Sequence, residues 1–142
     1  MCGVAGFVDI NQIDSESICN DMVRTLHHRG PDHSAVWVNK DLGVALGHAR
    51  LSILDLSPAG HQPMTSSSGR YVMIFNGEIY NHLQLRKDVG LSGYSASWKG
   101  HSDTETLLAA FSTWGIKKAL QATVGMFGLA LLDLKERKLI LA

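Results

Sequence analysis

The chain has 142 residues, of which 45% are hydrophobic and 18% charged, so it can bury the core of one globular domain. Its 13 Lys and Arg residues balance 13 Asp and Glu residues, and a net charge of +0 gives no electrostatic footprint for nucleic acid or an anionic membrane. Two cysteines, Cys2 and Cys19, are too few for a disulfide framework, and no apolar run reaches membrane-spanning length, so a reducing cytoplasm is expected.

The first half of the chain predicts strands around one helix. Apolar residues recur at helical spacing in 15–28 (Ile18, Met22, Val23 and Leu26), and Gly30 with Pro31 ends that helix. Residues 54–69 predict a long loop, and loops of this length are usually functional or mobile. The other predicted elements are a strand at 3–10, a turn at 11–14, and strands at 35–39 and 42–53.

The second half predicts two buried strands separated by helices. Residues 71–75 and 126–132 are continuous apolar runs, typical of strands that are covered on both faces. Ser102 and Glu105 have the spacing of a capping box and predict the start of a helix. Helices are predicted at 80–89, 102–115 and 116–124, with Leu83, Leu85, Leu107, Leu108 and Phe111 inward, followed by a charged turn at 133–137 and a strand at 138–142.

This order of elements predicts an α+β fold with helices outside two stacked sheets. The last strand ends at Ala142 without a cap, a turn or a polar tail, so we expect a domain that is truncated at its C-terminus. An exposed apolar edge strand of this kind invites pairing with another chain.

Cys2 is the candidate nucleophile. Initiator methionine is usually removed before a small residue, and removal of Met1 would leave Cys2 with a thiol and a free α-amine on one Cα. A terminal amine can act as the base that activates a neighbouring nucleophile. The alternative is that position 2 holds a small buried residue at the start of a strand.

Three further polar sites have both a functional and a structural explanation, and each taken alone favours the structural one. Arg50 in an apolar strand suits a substrate carboxylate, or else forms a structural ion pair or reaches water. Asn76 and Gly77 offer two donors for an oxyanion, or form a hairpin turn. Asp103 binds a substrate ammonium, or complements the dipole of its helix.

Metal and nucleotide sites are not expected in this chain. The seven histidines show no HExxH spacing and the two cysteines do not frame a zinc site. Neither the GxxxxGK[ST] loop nor a GxGxxG turn that opens a helix is present.

Seven motifs occur in order: MCGVAG at 1–6, HRGPD at 28–32, GHARLSI at 47–53, GHQPM at 60–64, FNGEIYN at 75–81, SDTE at 102–105 and GMFG at 125–128. With them the chain resembles, over essentially its whole length, the N-terminal glutaminase domain of glutamine-hydrolysing asparagine synthetases. These are class II glutamine amidotransferases with an N-terminal-nucleophile hydrolase fold. The resemblance implies a four-layer αββα sandwich with two antiparallel sheets. Gly128 stands where the family more often has alanine.

The same resemblance assigns roles to the candidate residues. Cys2 is the nucleophile that attacks the side-chain amide of glutamine, and its own α-amine is the general base. Asn76 and Gly77 form the oxyanion hole. Arg50 pairs with the α-carboxylate of glutamine, and Asp103 accepts its α-ammonium. The other implied roles are Glu78 assisting Asp103, backbone contacts from Leu51 and Ile53, and His48 as a support for the loop.

The implied reaction converts L-glutamine to glutamate and ammonia through a cysteine thioester. The implied ammonia acceptor is a synthetase domain that makes asparagine from aspartate. That domain carries an SGGxDS loop, which is absent from this chain, so ATP and Mg are expected only there. Two alternatives stay open: a catalytically silent fragment that only docks to a partner, and an amidotransferase that supplies a sugar or polysaccharide precursor. A homodimer also stays open.

Overall fold

The computed structural model describes residues 2–11 and 14–142, and arranges them in four layers. Among these residues, one helix covers a three-stranded sheet, which stacks on a four-stranded sheet with three helices outside it. The predicted α+β sandwich is therefore confirmed. The helices are α1 (Ser15–Thr25), α2 (His82–Leu91), α3 (Asp103–Trp114) and α4 (Ile116–Ala122). The strands are β1 (Gly3–Val8), β2 (His33–Asn39), β3 (Val44–Arg50), β4 (Met64–Thr65), β5 (Tyr71–Ile79), β6 (Gly125–Asp133) and β7 (Lys138–Leu141).

The first sheet has the antiparallel order β1-β3-β2, with β3 in its centre and α1 packed on its outer face. Gly47 of β3 allows this close packing, because a Cβ at this position would lie 2.4 Å from a methyl group of Val23. The buried residues of α1 are Ser15, Cys19 and Val23, spaced four apart. The predicted apolar stripe is wrong at Ile18, whose side chain is exposed, and it missed Cys19.

The second sheet has the antiparallel order β4-β5-β6-β7, and β5 separates two cores. Tyr71, Met73 and Phe75 belong to the larger core under the outer helices, which also contains the predicted inward residues Leu107, Leu108 and Phe111. The alternate residues Val72 and Ile74 pack between the sheets against Val44 and Leu46. The prediction that this run is buried on both faces is thus confirmed, because successive side chains of a strand point to opposite faces.

The largest difference from the sequence prediction is that β5 does not turn at Asn76 and Gly77. The strand continues to Ile79, and these two residues pair with Gly128 and Phe127 of β6. Gly77 has φ +157°, and a Cβ there would lie 2.4 Å from the carbonyl oxygen of Met126, so glycine is required at this close strand pairing.

Smaller differences concern the ends of other elements. Helix α2 begins at His82, with Leu85 buried but Leu83 exposed, and Met126 of β6 is exposed rather than covered. Strand β3 ends at Arg50 instead of position 53. The predicted 54–69 loop contains a single 3-10 turn at Pro58–Gly60 and the short strand β4. The predicted turn at 11–14 falls partly outside the described residues.

Strand β7 is an edge of the second sheet, and Leu141 on it is exposed. An apolar groove of about 1010 Å³ opens beside it, between β1, α1 and the end of β7. Over residues 2–11 and 14–142, no helix has the length and hydropathy that crossing a membrane requires.

Candidate active site

A cavity of about 150 Å³ lies where β1 begins, where β3 and β5 end, and where α3 starts. It brings together seven of the eight predicted site residues, although they are spread over the chain from position 2 to position 103. Those seven are Cys2, Arg50, Leu51, Ile53, Gly77, Glu78 and Asp103. The cavity is also lined by Leu54, Asp55, Gly60, Gln62, Phe75, Tyr80, Ser102, Thr104 and Met126.

Cys2 is held against the residue that follows β3. The N–H of Leu51 donates to its Sγ at 3.4 Å, and the carbonyl oxygen of Leu51 lies 3.6 Å from the same sulfur. The pairing of β1 with β3 explains this contact, because Gly3 lies opposite Ala49 and so brings Cys2 to the end of β3. The thiol is half-buried and free. The predicted backbone role of Leu51 thus includes a contact to the thiol itself.

Arg50 is buried at the last position of β3, and its guanidinium borders the cavity. It donates to the carbonyl oxygens of Ser57, at 2.9 Å, and of Asp55. These partners are backbone carbonyls, so the bonds of Arg50 hold the loop after β3 and form no ion pair with a carboxylate. The close approach of Gly60 leaves no room for a larger residue, since a Cβ there would lie 2.3 Å from the guanidinium. Arg50 is therefore a positive charge that backbone carbonyls hold in place beside the cavity.

Asp55 organises the loop that Arg50 holds, and the sequence prediction missed it. Its carboxylate accepts from the N–H and the Oγ of Ser57 and from the N–H of His101, at 2.6–2.8 Å. These hydrogen bonds, with Arg50 nearby, lower the pKa of Asp55 to about 2. A charged Asp55 thus ties the loop after β3 to the segment before α3.

Asp103 is the first residue of α3, in the first turn of a helix as predicted, and its side chain is buried. Its Oδ2 accepts from the N–H of Ile79 at 3.0 Å and its Oδ1 from the N–H of Thr104 at 2.8 Å. Burial raises the pKa of Asp103 above its ordinary value, against the lowering effect of these hydrogen bonds. Ser102 caps the helix through a bond from the N–H of Glu105. A buried carboxylate of this kind favours a cationic group beside it.

Gly77 borders the cavity, whereas Asn76 does not appear among the lining residues. The Oδ1 of Asn76 is buried and has no hydrogen-bond partner among the residues that the structure describes. Both residues lie in the second half of β5, before the exposed Glu78. The strand, not a turn, therefore presents the proposed oxyanion donors.

The resemblance implied that His48 supports the loop. In the structure His48 instead contacts strand β5. The imidazole is fully buried, and its Nε2 lies 3.2 Å from the carbonyl oxygen of Phe75. Burial lowers the pKa of His48 to about 4, with Arg50 and His33 contributing in the same direction and the Phe75 hydrogen bond opposing them. A neutral His48 with its proton on Nε2 donates this bond, since a carbonyl oxygen can only accept.

Charged groups of both signs line the cavity. Arg50 supplies a cation, Asp55, Glu78 and Asp103 supply carboxyl groups, and Cys2 borders the same space. A small zwitterion with a reactive carbonyl in its side chain satisfies these three features at once. Over the described ranges, no group of three or more metal-ligating side chains is found.

Comparison with known proteins gives matches over the whole length of the chain. Residues 1–142 match a family described as "Glutamine amidotransferase domain". The chain is 36% identical over 146 residues to asparagine synthetase [glutamine-hydrolyzing] 3 of Bacillus subtilis, covering 100% of this chain and 23% of that protein. It is also 36% identical over 135 residues to asparagine synthetase B [glutamine-hydrolyzing] of Escherichia coli, covering 94% and 23%. The chain thus spans about a quarter of the length of these curated relatives.

Among solved structures, the fold is similar to that of glutamine phosphoribosylpyrophosphate amidotransferase from B. subtilis. The TM-score is 0.71 at 18% identity, and the match covers 99% of this chain and 36% of the other. This likeness supports the sandwich of the N-terminal-nucleophile hydrolase type that the sequence predicted.

Proposed function

Because the chain belongs to the glutamine amidotransferase domain family, we propose that this cavity hydrolyses L-glutamine to glutamate and ammonia through a thioester on Cys2. The observation that carries the proposal is the convergence of the thiol, Arg50 and Asp103 on one cavity. The α-carboxylate of glutamine pairs with Arg50, whose planar guanidinium suits it. The α-ammonium pairs with Asp103 and Glu78, which relieves the cost of the buried carboxylate. These two contacts direct the side-chain amide towards Cys2.

In the proposed reaction the sulfur of Cys2 attacks the amide carbon and forms a carbon–sulfur bond. The oxyanion is stabilised by the N–H of Gly77 and the side-chain amide of Asn76. The thiol proton passes through the α-amine of Cys2 to the amide nitrogen, the carbon–nitrogen bond breaks, and ammonia leaves. Water then cleaves the thioester to give glutamate and the free thiol. The α-amine is available as a base only after removal of Met1, which lies outside the described residues.

The proposed acceptor of the ammonia is an ATP-dependent synthetase domain that converts aspartate to asparagine. Support comes from the relatives, whose names describe glutamine-hydrolysing asparagine synthetases and which are about four times as long as their matched parts. ATP and Mg would bind in that domain. The proposed setting is cytoplasmic.

The test is glutamine hydrolysis by the full-length protein and by its Cys2→Ala variant. We expect Cys2→Ala to lose glutaminase activity and the mass shift of a thioester, while synthesis of asparagine from added ammonia persists. The matched control is Cys19→Ala, since Cys19 is the other cysteine and is buried under β3, away from the cavity. Unchanged glutamine hydrolysis by Cys2→Ala would refute the assignment. If Cys2→Ala loses glutamine hydrolysis but makes no asparagine from added ammonia, the glutaminase assignment stands and the proposed ammonia acceptor is refuted.

A further inference from the structure

Phe75 lies directly before Asn76 and Gly77 on β5 and opposite Leu129 of β6, and on its other edge, beyond the end of β4, side chains hold its N–H and its carbonyl oxygen. β4 pairs with β5 only at Met64, opposite Met73, and at Thr65, opposite Val72. Continued by two positions beyond Met64, this register would place residue 62 opposite residue 75. There the side chain of Gln62 replaces the missing strand, and its Oε1 accepts from the N–H of Phe75 at 2.6 Å.

The hydrogen bond to Phe75 also fixes the orientation of the Gln62 amide. A backbone N–H can only donate, so the atom facing it must be the carbonyl oxygen of the amide. The amide nitrogen then points to the other side, where it donates to Oγ1 of Thr104 at 3.3 Å. Gln62 is buried, and both ends of its amide are satisfied.

Thr104 connects this amide to the opposite side of the cavity. Its N–H donates to Oδ1 of Asp103, and Oδ2 of the same carboxylate accepts from the N–H of Ile79, four residues after Phe75. One chain of hydrogen bonds therefore starts on β5 before Gly77, crosses Gln62 and Asp103, and returns to β5 after Gly77.

We propose that Gln62 is a positioning residue, which sets the distance between the oxyanion donors at Asn76–Gly77 and the ammonium acceptor Asp103. This inference rests on the proposed function. His48 holds the carbonyl of Phe75 while Gln62 holds its N–H, so the residue before the donors is fixed on both of its polar groups. A small displacement of the donors from the reacting oxygen lowers the rate by up to about 100-fold. Gln62 prevents that displacement without taking part in the reaction.

The test compares Gln62→Met, Gln62→Glu and Val89→Ala in the full-length protein. Methionine keeps the length of the side chain but neither hydrogen bond, and we expect kcat for glutamine hydrolysis to fall about 10- to 100-fold with a higher KM. Glutamate keeps the acceptor for Phe75 and should restore kcat to within a few-fold. Val89 is fully buried in the outer core, so Val89→Ala lowers stability without touching the cavity and should leave kcat and KM unchanged.

Gln62→Glu also tests whether the side chain at position 62 lies beside Asp103 in the active enzyme, as the chain of hydrogen bonds requires. Its carboxylate lies one hydroxyl away from Asp103, so the two like charges should move the acidic limb of the KM profile to higher pH. An unmoved profile overturns the inference, even where Gln62→Met does not fold. The inference is also overturned if kcat and KM of Gln62→Met equal those of Val89→Ala. Absence of glutamine hydrolysis in the wild type refutes the proposed function, and the inference with it. If the wild type is active and Gln62→Met has the same kcat and KM as the wild type, the inference alone is refuted.

Discussion

Acidification should destabilise this fold through His48, and the size of the effect follows from its burial. The folded pKa is about 4, below the ordinary value of 6.5, so the unfolded chain binds the proton more readily. Stability is then fully present above about pH 6.5, falls as the pH drops, and the loss is complete below about pH 4. For these two pKa values the full loss is about 3 kcal/mol, of which about 2 kcal/mol falls between pH 7 and pH 5.

The assay is urea unfolding of the wild type and of His48→Gln at pH 7 and at pH 5. Glutamine keeps a donor for the carbonyl oxygen of Phe75 but does not titrate, so the variant should lose about 2 kcal/mol less than the wild type on acidification. Comparing the two chains cancels the other titrating groups, including Asp103, whose raised pKa acts in the opposite direction. The exposed His27, changed to Gln, is the control and should keep the wild-type dependence. Equal losses in the wild type and His48→Gln would refute the reasoning.

Two further predictions concern the backbone around the cavity. Gly77→Ala should lower glutaminase kcat by about 100-fold or more and destabilise the fold by about 2 kcal/mol or more, because its Cβ would overlap β6. The control is Gly128→Ala, which lies opposite Asn76 and has no atom within 4 Å of the added Cβ. This variant should change neither kcat nor the melting temperature appreciably. Asp55→Asn should destabilise by about 1–3 kcal/mol and raise KM for glutamine, since an amide cannot accept from Ser57 and His101 with both of its ends. Equal behaviour of the two alanine variants, or an unchanged KM in Asp55→Asn, would contradict these expectations.

The sequence predicted the residues proposed to bind and convert the substrate better than it predicted the residues that hold them in position. Cys2, Arg50 and Asp103 stand out because a thiol at position 2, a cation in an apolar strand and an acid at a helix start are visible locally. Asn76-Gly77 misled the strand assignment because local turn preference was outweighed by pairing with β6, a contact some fifty residues away in sequence. Asp55 and Gln62 act through side-chain bonds to distant backbone groups, and no periodicity predicts such bonds. The prediction for Leu83 was wrong because residues two apart in a helix do not share a face, and Leu85 occupies the buried one.

Strand β5 carries a consequence for how this domain can change by mutation. Its nine residues contribute to both cores and end in the proposed oxyanion donors, so repacking Met73 or Ile74 would shift the donors along with the core. Stability and catalytic geometry cannot be adjusted independently along this strand. Engineering for stability should therefore begin at α1, which contributes no residue to the lining of the cavity, and should leave β5 unchanged.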